Sequence, residues 1–280
     1  MRPPTMEAPY FTFLADPNHL ETREVAHGLA VVASRTAPEK TTPNEDNAAV
    51  IPISEDQAVL LVADGLGGHA AGELASRMAI EQMEGALRER SEESEGPLDA
   101  EQLRSAIIAG IDRANDAIRE LGTGAATTLC VAEIQGDTVR VYHIGDSAIM
   151  LVGQRGKMKF QTLAHSPVGY AVEAGLLDEA DAIHHEERHL ISNVLGTAEM
   201  RIEMGPSRKM GLRDTLLLTS DGLLDNLLTD EIVARCRKGP LPKGVEQLMT
   251  DAFKRMERGP NGSKPSKPDD LTVVAFRRAH

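Results

Sequence analysis

Carboxylates recur in this chain where apolar runs begin or end. Asp64 closes AVLLVA, Asp146 follows VRVYHI across a glycine, and Asp221 follows TLLLTS, with Asp225 one helical turn further on. Asp269 and Asp270 immediately precede LTVVAF, and Asn44-Glu45-Asp46 stands just ahead of AAVIPI. A single aspartate at a strand end is ordinarily a turn residue or a helix cap. Five apolar strands that each carry carboxylates at one end pose a different problem. If those ends meet in space, like charges repel, and the groups must protonate, spread apart or bind cations. All-oxygen ligation selects hard ions, Mg²⁺ or Mn²⁺ in particular.

Asp64 opens DGLGGHAAGELAS, where three glycines within four residues separate a strand from a helix. Such a turn bends sharply and lets a backbone carbonyl, that of Gly65, face a metal. The same stretch fits the dinucleotide pattern G-x-G-x-x-A, but a carboxylate at Asp64 would then lie beside a pyrophosphate, and the chain is not a series of βαβ units. His185-Glu186-Glu187-Arg188-His189 matches the zinc-protease helix signature H-E-x-x-H. Both intervening positions are charged, whereas such a helix has to be buried, so a solvated face is the better reading. A C-x₅-R phosphatase loop is excluded, because Gly136 and Pro242 stand where the arginine would follow Cys130 or Cys236.

The elements that must position these groups follow from periodicity. Strands are expected at Gly28–Ala33, Ala48–Pro52, Ala58–Ala63, Thr127–Ile134, Thr138–Ile144, Ala148–Val152, Thr215–Thr219 and Leu271–Phe276. A helix is expected from Ala70 to Arg90, with Glu73, Arg77, Glu81, Glu84 and Arg88 on its charged face, and a second from Leu98 to Leu121. The two should pack antiparallel across the polar turn 91–97. Strands cluster before and after this pair, which favours an α+β class over a doubly wound parallel sheet. Residues 1–22 are read as an irregular segment and 23–280 as one domain. Residues 258–268, rich in Gly, Ser, Pro and Lys, are read as a mobile loop whose Lys264 and Lys267 steer an acidic substrate or merely solvate the loop.

Composition narrows the function. The 280 residues carry a net charge of −13, which argues against nucleic acid and anionic membrane as partners. No apolar run is long enough to span a bilayer and no secretory signal is read, so a cytoplasmic location is expected. Two cysteines cannot build a disulfide framework.

The ordered set NED (44–46), DGLGGH (64–69), GAATTL (124–129), GDS (145–147), SDGLLD (220–225) and DDLT (269–272) resembles the metal-dependent serine/threonine phosphatases of the protein phosphatase 2C type, in their bacterial form. The resemblance implies a central β-sandwich of two antiparallel sheets flanked by antiparallel helix pairs, four layers in the order αββα. It implies hydrolysis of phosphoserine and phosphothreonine in proteins by a metal-activated water at a dinuclear Mn²⁺ or Mg²⁺ site, with a weaker third ion. By position, Asp64 would bridge two metals and Gly65 would offer its carbonyl. Glu45, Asp221 and Asp269 would complete the pair, Asp46 would stand behind the ligands, and Asp146 and Asp225 would hold the third ion. His69 matches a family histidine, either a general acid or a hydrogen-bonded turn residue. Residues 164–183 fall where the family carries its variable flap.

Two departures stand out. The family's phosphate-binding arginine is replaced by Thr41, which leaves Lys40, Arg35 or neither in that role, and the arginine after Gly-Asp-Ser is Ala148. The expected partner is a phosphorylated protein, such as a cognate kinase's target, and the expected state is a monomer. The alternative is a pseudophosphatase, the same fold acting as a phosphoprotein-binding module.

Overall fold

The computed structural model describes residues 20–68, 70–182, 185–259 and 265–279. In chain order, β1 (Leu20–Val25), β2 (Gly28–Arg35), β3 (Asp46–Pro52) and β4 (Gln57–Leu66) lead into the helix pair α1 (Ala70–Glu93) and α2 (Ala100–Glu120). Next come β5 (Ala126–Thr127), β6 (Leu129–Gln135), β7 (Thr138–Ile144), β8 (Ala148–Val152) and β9 (Met158–Gln161), then the short α3 (Pro167–Glu173) and α4 (Glu179–Ala182). The chain finishes with β10 (Glu203–Met204), β11 (Arg208–Lys209), β12 (Thr215–Thr219), α5 (Asp221–Leu224), α6 (Thr229–Cys236), α7 (Leu241–Arg258) and β13 (Leu271–Arg278).

One sheet has the order β1-β2-β13-β12-β8-β9 and the other β10-β7-β6-β4-β3, with antiparallel pairing throughout. The expected α+β sandwich is the architecture observed. Alternation sorts each strand's side chains between layers, because successive residues of a strand point to opposite faces. Ala48, Val50, Leu60, Val62, Cys130 and Ala132 meet Val32, Ile149, Leu216, Leu218 and Val274 between the sheets. Their neighbours Ala49, Ile51, Val59 and Leu61 face α1 and α2. Val31, Met150, Leu217 and Val273 face α6 and α7. Strands so buried on both faces read as continuous apolar runs, and that is what made them legible.

The helix pair forms where expected, with α1 running to Glu93 and absorbing the first residues of the expected turn. Asp99 starts α2 two residues after the expected point, its Oδ1 accepting from the amides of Glu101 and Gln102 at 2.9 and 2.8 Å. Residues 20–22, read as irregular, belong to β1, which pairs with β2 along its whole length. The expected strand 127–134 is broken at Thr128, whose side chain and amide serve Asp64 instead of continuing the ladder. Helix α7 was not anticipated, although Val245, Leu248, Met249, Ala252, Phe253 and Met256 carry the helical period. No helix among the described residues is long and apolar enough to cross a membrane.

Candidate active site

Register brings the carboxylates together. Asp46 pairs with Asp64 across β3 and β4, and directly opposed residues project to the same face. Both share parity with Val50, Leu60 and Val62, so both point inward, toward the other sheet. Glu45 has the opposite parity and turns toward α1. In the first sheet Thr219 is paired with Ala148 on one side and Val273 on the other. The end of β12 therefore lies beside the starts of β8 and β13, which delivers Asp221, Asp146 and Asp269 to one edge. A hydrogen bond from Ser220 Oγ to Asp46 Oδ2, 2.7 Å, joins the two sheets there.

The surroundings are a closed polar network. Asp46 is 3% exposed, and its amide donates to Asn44 Oδ1 at 2.9 Å. Asn44 Nδ2 donates to Ser34 Oγ at 2.8 Å, Ser34 shares a 2.7 Å hydroxyl contact with Thr272, and the Thr272 amide donates to Ser220 Oγ at 3.0 Å. Asp64 is gripped through its backbone: its amide donates to Thr128 Oγ1 at 3.0 Å, and its carbonyl accepts from Thr127 Oγ1 and the Thr128 amide, each at 2.8 Å.

Gly65 and Gly72 allow the turn to pass against α1. The Gly65 amide donates to the Glu45 carbonyl at 3.1 Å, and a Cβ on Gly65 would lie 2.1 Å from the Gly72 carbonyl oxygen. A Cβ on Gly72 would lie 2.4 Å from Glu45 Oε1. Gly65→Ala should therefore cost about 1–3 kcal/mol of stability in urea unfolding, as overpacking against backbone does. It should also displace Glu45 and reduce activity. A variant as stable and active as the parent would show that this contact is loose.

The electrostatics are those of crowded acids. Burial and then Asp46, Asp221, Asp269 and Asp146 push the Asp64 carboxyl well above the usual range. Burial raises Asp46 strongly despite the Ser220 hydrogen bond, and it raises Asp225 with help from Asp221. Asp146 is pushed up to about 8, by burial first and Asp221 second, and Asp269 to about 6 for the same two reasons. Asp146 Oδ1 is buried without a hydrogen-bond partner. Buried acceptors are nearly always paired, so an orphan among carboxylates points to a cation. The donor set, carboxylates with a nearby backbone carbonyl and no sulfur or imidazole, fits Mn²⁺ or Mg²⁺.

Two lysines meet this cluster from opposite sides. Lys40 Nζ lies 2.7 Å from Glu45 Oε2 and 2.5 Å from Asp270 Oδ2, and Asp270 also accepts from the amides of Ala37 and Glu45. Lys267 Nζ contacts Asp221, Asp225 and Asp269. In the sequence Asp270 stands out only as part of a strand-end pair, and Lys267 only as a loop cation that steers substrate or solvates the loop. Position 267 lies two residues before Asp269, and that proximity was the available signal.

Other candidates fall elsewhere. Arg35 ends β2 with its guanidinium 3.9 Å from the centroid of the Phe253 ring, lining a cavity of about 630 Å³ with Glu39, Met256 and Glu257. His69 and Lys264 lie outside the described residues. Residues 186–189 form an exposed turn rather than a helix, so His185 and His189 do not share a helical face.

The turn carrying Asp146 has its own support. His165 Nδ1 accepts from the Gly145 amide at 3.1 Å and from Asn193 Nδ2 at 2.9 Å, which leaves the ring proton on Nε2, 2.8 Å from Glu203. His143 Nε2 donates to the Ser147 carbonyl at 2.7 Å, and burial pushes its pKa down to about 3. With both His165 nitrogens committed to hydrogen bonds, His143, His165 and Glu203 position the turn, and His143 Nδ1 is left buried without a partner. The His165 carbonyl also accepts from the amide and hydroxyl of Ser192, which ties the start of the segment expected to be the flap to residue 192.

The profile of Protein phosphatase 2C matches residues 35–259, across all the carboxylate-bearing strand ends but the last. The chain belongs to this family of metal-dependent serine/threonine phosphatases. The serine/threonine phosphatase stp of Listeria welshimeri is 32% identical over 187 residues, 64% of this chain and 72% of the relative. The solved serine/threonine phosphatase of S. agalactiae superposes with a TM-score of 0.74 at 26% identity, covering 93% of this chain and 100% of that one. The catalytic domain of the phosphatase PstP, solved with two manganese ions, gives 0.66 at 26% identity, covering 92% and 99%.

Proposed function

We propose that this phosphatase hydrolyses phosphoserine and phosphothreonine in proteins at a centre of two divalent cations held by Glu45, Asp64, the Gly65 carbonyl, Asp221 and Asp269. Asp146 and Asp225 would hold a weaker third. The observation that carries the reading is the convergence of these carboxylates from both sheets on one edge, with Asp146 Oδ1 buried and unpaired. The bound cations would supply water activation near neutral pH and neutralise charge on the phosphoryl oxygens. The chain's part is to hold acceptors in place. Opposed Asp46 and Asp64 sit on paired strands, Ser220 and Asn44 fix Asp46, and the threonines at 127 and 128 fix the Asp64 backbone. No side-chain nucleophile is required, and both cysteines are buried.

Phosphate binding falls to Lys40 or to neither basic residue in this reading, since Arg35 stacks on Phe253 away from the carboxylate cluster. Lys40 is a point charge beside Glu45, without a guanidinium's bidentate grip, which should leave substrate affinity modest. The carboxylate set is complete, which favours the enzyme over the pseudophosphatase.

The test is hydrolysis of p-nitrophenyl phosphate and a phosphothreonine peptide by metal-stripped protein. Mn²⁺ or Mg²⁺ should restore turnover by at least about 100-fold over the stripped enzyme, and Zn²⁺ should not match them. Folded protein that binds Mn²⁺ yet turns over neither substrate would instead be a binding module.

A further inference from the structure

We infer that Lys267 is a tethered counter-ion: its ammonium takes a cation's place among Asp221, Asp225 and Asp269 in the metal-free protein and competes with divalent metal for those carboxylates. The inference rests on the reading of these aspartates as metal ligands.

Lys267 Nζ lies 2.9 Å from Asp221 Oδ2, 2.8 Å from Asp225 Oδ2 and 2.9 Å from Asp269 Oδ2. An ammonium has three protons to donate, and here each has a carboxylate. The lysine is also held there by its backbone. Its amide donates to Asn226 Oδ1 at 3.0 Å, and Asn226 Nδ2 donates back to the Lys267 carbonyl at 2.7 Å and to the Gly222 carbonyl at 2.9 Å. Asn226 is fully buried. The preceding Ser266 donates to the Arg255 carbonyl at 3.0 Å, and Arg255 is in turn held by both carboxylate oxygens of Glu231. Residues 266 and 267 of the segment expected to be a mobile loop are thus fastened to α5 and α7 where they present this side chain.

An ammonium and a divalent cation cannot share one set of oxygens. A divalent cation on these oxygens would fill the space the ammonium occupies, so binding it would require the four-carbon stem to swing away while the Asn226 clamp holds the backbone. Competition of this kind is reciprocal. Removing the ammonium should tighten metal binding, whereas a lysine that merely shaped the site would weaken it when removed. The sign of the change separates the two.

The experiment is Mn²⁺ titration, by calorimetry and by the electron paramagnetic resonance of free Mn²⁺, on the full chain and on Lys267→Met, Lys267→Gln and Lys267→Arg. Lys243→Met, an exposed position on α7, controls for net charge. Relative to that control, Lys267→Met and Lys267→Gln should bind at least one Mn²⁺ about tenfold more tightly, with a lower metal-free Tm and a Mn²⁺-saturated Tm close to the parent's. Lys267→Arg should stay near the parent. If Lys267→Met does not fold without metal, Lys267→Gln carries the comparison, since its amide still donates. Parent-like or weaker Mn²⁺ binding in both neutral variants overturns the competition and leaves the ligand reading standing. Loss of Mn²⁺ binding in every protein, the parent included, overturns both.

Discussion

Asp64→Asn is expected to lower turnover of p-nitrophenyl phosphate by at least about 10³-fold at saturating Mn²⁺, with the fold intact. Asp64 faces Asp46 across the ladder and is pushed up in pKa by burial and then by four other aspartates. Four other aspartates act on it, and in the proposed reading it is the group that serves both cations. Asparagine keeps the shape and the backbone bonds to Thr127 and Thr128 but removes the negative charge. The metal-free variant should therefore unfold at the same temperature as the parent or higher, because a repulsion has been relieved. Retention of more than about a tenth of parental activity would count against a two-cation mechanism centred on Asp64.

The second large effect is on the stability of the metal-free protein, which should fall as pH rises from about 4 to about 8. The sign follows from the direction of the shifts. Asp46, Asp64, Asp146, Asp225 and Asp269 are all raised in the fold, so the native state binds their protons more tightly than the unfolded chain. That contribution is complete below the unfolded value, near 3.9, and is lost as pH passes through about 6 for Asp269 and about 8 for Asp146. Lys267 is also raised, but its loss would come far above this window. Urea unfolding with chelator at pH 5 and pH 8 should differ by a few kcal/mol, the lower pH being the more stable. Saturating Mn²⁺ should reverse the order, since metal binds the ionised carboxylates. A metal-free stability that is flat or rises across this range would mean that the acids do not share one buried site.

Six motifs in order are enough to carry the family resemblance, and the strands are legible because burial on both faces makes apolar runs nearly uninterrupted. Helix α7 carries an equally clear period in Val245, Leu248, Met249, Ala252, Phe253 and Met256. Lys40 illustrates a different limit. Its proximity to Glu45 is local in sequence, but its second partner, Asp270, lies 230 residues away. No spacing rule connects them.

What the sequence determined alone was the inventory: which residues could bind cations, that they stand at strand ends, and, through period two, that Asp46 points away from the face of its neighbour Glu45. Pairing register and sheet order lay beyond it, since both depend on contacts between strands that are distant in the chain. Those contacts decided that Asp46 opposes Asp64, that Ser220 reaches across from the other sheet, and that Arg35 stacks on Phe253. They also decided that a lysine two residues before Asp269 turns inward on three carboxylates, because Asn226, brought up by the packing of α5 against β13, holds its backbone in place.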